Sequence, residues 1–389
     1  MEVKAGYKKT EVGMIPEDWD VLSLGEICRM KSGESITSAN IDEFSKYPCY
    51  GGNGLRGFTG KFTHDGQYAL IGRQGALCGN VVGVEGKFFA SEHAVVVTPF
   101  EKTDIHWLTY MLGDMRLNQY SESSAQPGLS VSKLLRLNIA FPPSKTEQHT
   151  IAATLSNIDS LLTSLDELIA KKRLMKVGAM QELLTGRKRL PGFTDRWEEK
   201  TFGEIGVTDP ENLTSKTDPD YSFKYISLED VDVGVLKNYS EIKFRFAPSR
   251  ARRIVRKNDI LISTVRPNLK SHLFIREDAI DLVCSTGFSV LRCNPNLANP
   301  AYVFFHLFAH QIEQQIETLL TGSNYPAINS KDVKALQIYL PTVNEQTAIA
   351  EILSDMDAEI AALEARREKT SLLKQGMMQE LLTGKIRLV

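Results

Sequence analysis

The sequence predicts an α+β protein in which two globular blocks of mixed sheet and helix alternate with two copies of one long helix. Three observations carry this expectation. A tract of 48 residues recurs at a spacing of 198 positions, each copy has a 4-3 apolar rhythm, and the intervening stretches hold short β-branched runs cut by Gly, Asn and Pro. At 389 residues the chain is long enough for two or three domains. The resulting boundaries are 1–142 and 188–340 for the globular blocks, with 143–187 and 341–389 for the helical tracts.

The first block opens on Trp19 and Leu24-Gly25-Glu26-Ile27, and the second echoes it with Trp197 and Phe202-Gly203-Glu204-Ile205. Strand candidates in the first are Ala69-Leu70-Ile71, Val81-Val82 and Ala94 to Val97; in the second, Ile260-Leu261-Ile262 and Phe288 to Leu291. Each block also carries one helical stretch towards its end, Trp107 to Tyr120 and Pro300 to Leu320.

The repeats align Pro143–Leu190 with Pro341–Leu388 without a gap, at 22 identities in 48 positions. The matches cluster at Glu147-Gln148 with Glu345-Gln346, and at Gln181-Glu182-Leu183-Leu184-Thr185-Gly186 with Gln379 to Gly384. In the first copy Ile151, Leu155, Ile158, Leu162, Leu165 and Ile169 form a seam; in the second, Ile349, Leu353, Met356, Ile360 and Leu363 keep its register. A helix from Glu147 to Thr185 spans about 58 Å and cannot bury such a stripe alone. Its own copy is the simplest partner. Antiparallel pairing relates the halves by a pseudo-twofold axis, whereas parallel pairing leaves both blocks at one end.

Composition excludes several classes. An apolar fraction of 42% with 24% charged residues fits a folded chain, and no run approaches 18 apolar residues, so a membrane span is not expected and the cytoplasm is the predicted compartment. Five widely spaced cysteines (Cys28, Cys49, Cys78, Cys284, Cys293) with no CxxC pair read as reduced structural thiols. The net charge of −2 hides a local excess. From Glu241 to Arg276, ten Lys or Arg stand against Glu241 and Asp259, a balance of +8.

Catalytic motifs are weak. Gly52-Asn53-Gly54-Leu55-Arg56-Gly57 satisfies GxGxxG but lacks the strand before and helix after that a dinucleotide site requires, and reads as a surface loop. Asn299-Pro300-Ala301-Tyr302 resembles the tetrapeptide of amino-methyltransferases but lacks its second proline, and an Asn cap before Pro accounts for it. His306 and His310 have metal-ligand spacing, but the flanking Phe304, Phe305 and Phe308 point to a packed helix. No Walker loop or nucleophile triad is visible, so the chain reads as a binder with no metal and no cofactor of its own. The basic stretch alternates with strand formers, as a DNA face does; Arg donates bidentately to guanine or phosphate, and Asn or Gln does so to adenine.

The opening Ile15-Pro16-Glu17-Asp18-Trp19, the Glu-Gln-x-x-Ile-Ala and Gln-Glu-Leu-Leu-Thr-Gly repeats, and Leu261-Ile262-Ser263-Thr264-Val265-Arg266-Pro267 together resemble the specificity subunit of type I restriction-modification systems. The resemblance implies two target-recognition domains, each reading half of a bipartite site on double-stranded DNA. It implies that the repeat helices form an antiparallel coiled coil and dock two modification subunits, which carry S-adenosylmethionine and the methylating cleft. Restriction (motor-nuclease) subunits join in the full complex. A stand-alone adenine methyltransferase and a coiled-coil interaction scaffold are the alternatives. Expected DNA-contacting residues are Asn53, Arg56, Lys61, Arg73, Gln74, Gln126 and Ser130 in the first block. In the second they are Arg245, Arg250, Arg252, Arg253, Ser263, Thr264, Arg266, Asn268, Lys270, Ser323, Asn324 and Tyr325. The last three are chosen because Thr321 to Pro326 occupies the place of Ser124 to Gly128.

Overall fold

A computed structural model describes residues 5–75, 77–121, 128–278, 280–320 and 326–388. Two compact units emerge, one of residues 1–166 with 365–389, the other of residues 167–364. Each long helix, Lys145–Leu183 and Val343–Leu381, is 39 residues long and divides between the units, 22 residues in one and 17 in the other.

In the first unit, Asp20–Ser23 pairs antiparallel with Asn138–Phe141. The Leu24-Gly25-Glu26-Ile27 motif that follows is a single helical turn closed by a capping box, the Ser23 N–H donating to Glu26 at 2.8 Å. The Ser23 hydroxyl, and then that N–H, hold the Glu26 carboxyl below the usual range. Beyond it lies a mixed six-stranded sheet in the order Cys28–Ser32, Ala94–Pro99, His64–Gly72, Val81–Ala90, Tyr47–Gly51, Gly54–Thr59. Alternation along His64–Gly72 buries both faces. Ala69 and Ile71 join a core with Trp19, Trp107 and Leu112, while Leu70 packs with Val84, Phe88 and Val96. The seam residues Ile151 and Leu155 complete the first of these cores with Leu381 and Leu382.

The second unit repeats the opening. Glu198–Thr201 pairs with Gln337–Leu340, and Thr201 with Glu204 forms the equivalent capping box. Its sheets differ, however. One has the order Gly206–Thr208, Phe288–Cys293, Ile260–Ser263, Leu273–Phe274, and the other Ser240–Lys243, Ser222–Ile226, Leu282–Ser285, Ala251–Val255. Arg292 ties them to the loop before them by donating to Asp259 at 2.8 Å from Nε and from Nη2, and to Glu211 from Nη1.

Both predicted single helical stretches are broken. The helix Ile105–Asp114 stops because Arg116 takes a left-handed φ of 46°, and a 3-10 turn, Leu117–Tyr120, follows. Pro300–His306 likewise ends before a second helix, His310–Leu319, with Ala309 extended between them.

The helical tracts pair antiparallel within each unit. In the first, Asp166 meets Arg367 at 3.0 Å and Asp159 meets Lys374 at 2.6 Å; in the second, Arg173 meets Glu364 at 2.6 Å and Lys176 meets Asp357 at 2.5 Å. As one number rises the other falls. The Glu-Gln pair shared by the repeats anchors the helix starts. Glu345 accepts from Arg189 Nε and Nη2 at 2.7 and 2.8 Å and from Trp197 Nε1 at 3.3 Å. In the other unit Glu147 accepts from Arg387 and from Trp19 Nε1. Gln346 and Gln148 each donate to a preceding proline carbonyl, Pro341 and Pro142. All five cysteines are free and buried, and burial pushes the Cys28 thiol up to about 12.

Candidate nucleic-acid interface

In the first unit a cleft forms where the strand His64–Gly72 ends. Register sets Gly72 opposite Ala94; beyond it the Arg73 N–H donates to His93 O at 2.8 Å, and Gln74 bridges Gly128. The Gly51–Gly54 turn abuts this strand end so closely that a Cβ on Gly72 would lie 2.0 Å from Gly52 O. The glycine-rich motif is thus a hairpin turn between Tyr47–Gly51 and Gly54–Thr59, as its sequence context predicts. Gly52, Asn53, Arg56, Gln74, Gly75, His93 and Gly128 line a cleft of about 500 Å³. The sequence-chosen Asn53, Arg56 and Gln74 therefore meet in one place. Gln74 Oε1 lies 3.0 Å from His93 Nδ1, and His93 Nε2 lies 3.4 Å from Glu92. Arg73 is turned away, donating to Ser32 Oγ at 3.2 Å. Ser130 stands just before the short helix Val131–Leu134, and its hydroxyl bonds to that of Ser132. Lys61 lies before the start of the nine-residue strand, whose two ends are roughly 26 Å apart at 3.3 Å per residue, whereas the cleft sits at its far end. Gln126 falls outside the described residues.

The second unit builds a corresponding loop at the end of Ile260–Ser263. The Ile328 N–H donates to Thr264 O, Val265 bridges Ala327, and the Arg266 N–H donates to Pro326 O at 2.7 Å. Arg266 (φ 50°) and Lys270 (φ 56°) frame a 3-10 turn, Pro267–Leu269, and expose Arg266 and Asn268. Ser263 and Thr264 are buried; their hydroxyls donate to Val265 O and Gly287 O and so fix the loop. Arg250 is exposed beside it, its carbonyl accepting from the Thr286 N–H at 2.8 Å. Ser323, Asn324 and Tyr325 lie outside the described residues.

The expected +8 charge is largely cancelled in three dimensions. Lys243 and Arg245 pair with Asp220, Arg253 with Asp209, Arg256 with Glu211, Lys257 with Asp278 and Lys270 with Glu313. None of these carboxylates lies in the Glu241–Arg276 window. Arg253 is 13% exposed and Arg252 lies over the Phe244 ring at 5.0 Å, so both are built into the fold. The exposed bases near the loop are Arg250 and Arg266, with Asn268 and Thr286 beside them, whereas Arg276 lies at the other end of the strand pair, over the Phe274 ring at 5.1 Å. Two contributors, His93 and Thr286, escaped sequence reasoning. The signal available for His93 was its place between two β-branched runs that must turn at the strand end.

The remaining motifs resolve structurally. Asn299 caps its helix by accepting from the Ala301 and Tyr302 N–H groups, and Tyr302, 0% exposed, donates to Tyr339 O. His306 is fully buried while His310 is exposed on the next helix, and burial pushes the His306 imidazole down to about 3. No cluster of three or more His, Cys, Asp or Glu able to hold a metal occurs among the described residues. Nor is any described helix long and apolar enough to cross a membrane.

One further surface stands out on the long helices. Leu174 and Met175 in the second unit are 73% and 49% exposed, and their repeat equivalents in the first, Leu372 and Leu373, are 59% and 57% exposed. Exposed apolar side chains thus recur at matching positions of the two repeats.

Two units of sheet and helix built on a duplicated helical tract, each ending a strand in a polar loop, define a two-headed binding protein. The family model for the type I restriction modification DNA specificity domain matches residues 16–172 and again 194–373, and the chain belongs to that family. Among its relatives, the EcoprrI specificity subunit of Escherichia coli is 49% identical over 150 residues, 38% of this chain and 37% of that one. The putative MjaX specificity subunit of Methanocaldococcus jannaschii is 26% identical over 98% of this chain and 96% of its own. The crystal structure of a type I restriction-modification S subunit from M. genitalium has the same fold, with a TM-score of 0.66 at 18% identity and 98% coverage of both chains. A chain from a structure describing complex assembly and conformational transition of the type I system gives 0.57 at 16% identity, covering 96% of this chain and 99% of its own.

Proposed function

We propose that each unit reads one half of a bipartite, asymmetric site on double-stranded DNA, and that the helical tracts dock two modification subunits carrying S-adenosylmethionine. The observation that carries this reading is the loop pair, Gln74 to Gly128 with the Arg56 hairpin beside it, and Val265 to Ala327; each gathers exposed Arg and amide side chains at the end of a core strand. Such side chains suit base edges, while phosphate contacts supply position and salt-dependent affinity. Sheets of different topology behind the two loops support half-sites of different sequence. The exposed Leu174, Met175, Leu372 and Leu373 support two docking sites related by the repeat. Methylating a paired adenine requires its extrusion from the stack, and a separate reader can hold the duplex in register while a partner receives the base. Restriction subunits would complete the assembly, which would work in the cytoplasm.

Mapping methylated bases in host DNA by single-molecule sequencing tests this directly. An interrupted, asymmetric methylated motif that disappears on deletion of the gene is the expected result. Methyl transfer by the purified chain alone would instead make it an enzyme. Failure of its complex with the modification subunits to bind DNA would leave a scaffold.

A further inference from the structure

We propose that the cleft of the first unit reads a guanine, with Arg56 and a Gln74 amide braced by His93 as the readers. This deepens the recognition reading above and rests on it.

The argument starts from what each lining group can offer. Arg56 is exposed, carries only donors, and among the described residues no carboxylate pairs with it, in contrast to most bases of the second unit. Gln74 carries one acceptor and two donors, but its Oε1 is 3.0 Å from His93 Nδ1. A carbonyl oxygen only accepts, so Nδ1 donates to it. The neighbouring Glu92 is itself fixed, accepting from the Ile36 N–H at 3.2 Å. The Gln74 acceptor is therefore spent within the protein, and the N–H groups are what remains for a ligand. Asn53 keeps both halves of its amide and sets no preference. Gly75 leaves room for a flat edge, since a Cβ on it would meet nothing within 4 Å.

A donor-only pair discriminates among bases. Guanine presents two acceptors, N7 and O6, in the major groove, whereas adenine sets its N6 donor and cytosine its N4 donor against the same groups. The bidentate pairing of glutamine with adenine needs the carbonyl that His93 occupies. Phosphate also accepts only, but a brace that fixes the direction of an uncharged amide adds nothing to phosphate binding.

The test uses the full chain in complex with its modification partners and a duplex carrying the methylated motif, with each guanine replaced in turn by 7-deazaguanine. Fluorescence anisotropy should show about a tenfold loss of affinity at one guanine of one half-site. Gln74→Leu should abolish that sensitivity, and His93→Leu, by freeing the amide to rotate, should narrow the preference for guanine over adenine there. Sequence-specific binding with no sensitive guanine, or with Gln74 coupled to an adenine, overturns the assignment. So does a Gln74→Leu loss that is uniform across sequences with a salt slope shallower by about one, the mark of a phosphate contact. If Gln74→Leu fails to fold, the scan of the unmodified chain decides alone. Loss of sequence-specific binding by the wild-type complex would instead overturn the recognition reading itself.

Discussion

Replacing Arg189 by Ala isolates the anchor that seats the second long helix. Glu345 is 0% exposed and Arg189 28% exposed, and the two share hydrogen bonds of 2.7 and 2.8 Å beneath the Trp197 ring, 5.5 Å from the guanidinium. Arg189→Ala leaves a buried carboxylate with one neutral donor, Trp197 Nε1 at 3.3 Å. Removing one partner of a buried pair costs about 3–5 kcal/mol, and because water reaches part of this site the lower end applies, about 3 kcal/mol. For a unit of this size that lowers the melting temperature by about 6–12 °C. Differential scanning calorimetry and urea titration of the purified chain measure both. Arg189→Met with Glu345→Leu, which removes the charge on both sides, should lose less than Arg189→Ala alone. A loss under about 1 kcal/mol for Arg189→Ala, or a double variant worse than the single losses together, would refute the buried-pair account.

Three other outcomes follow from the geometry. Acid should weaken the second unit early, because burial pushes His272 and His306 down to about 3, so the unfolded chain binds more protons once pH falls below about 6.5. Each histidine then costs about 2 kcal/mol at pH 5, and Arg256 with Arg292 holds Glu211 at about 2, adding a further loss as pH drops from about 4.5 towards 2; urea midpoints against pH read this out, and His306→Phe should remove its share. Leu372→Glu with Leu373→Glu should leave the melting temperature within about 2 °C yet about halve the modification subunit that co-purifies, since Leu174 and Met175 keep the other site, whereas unchanged co-purification would move the docking surface elsewhere. Arg266→Ala should weaken DNA binding by about 1–3 kcal/mol, while Arg253→Ala, which leaves the Asp209 carboxylate to the Ser330 hydroxyl and the Val290 N–H, should lower stability by about 1–3 kcal/mol without a matching loss of DNA affinity; anisotropy and thermal melts on the same samples separate the two.

Periodicity made the helices legible, since Ile151, Leu155, Ile349 and Leu353 are buried at the register their spacing demands. The strands were legible because β-branched runs such as Ala94–Val97 had to lie in a buried sheet. Two local breaks were not, because a left-handed Arg116 and an extended Ala309 leave no mark in a helical pattern. Charge was the larger miss. Counting along the chain cannot see that Asp220, Asp209 and Glu313 return from distant positions to neutralise Arg245, Arg253 and Lys270. The Glu-Gln identities of the repeats were visible, but their work as buried anchors depends on Arg189 and Arg387, each drawn from the opposite copy.

That cross-supply bears on how such chains can change. Every side chain of the two anchors lies in a repeat or in the few residues around the opening tryptophan, so a block exchanged whole between relatives, with breakpoints inside the helices, arrives with its clasp intact. Hybrid genes spliced there should yield stable proteins with new combinations of half-site preference, whereas splices between Trp197 and the sheet it introduces should not.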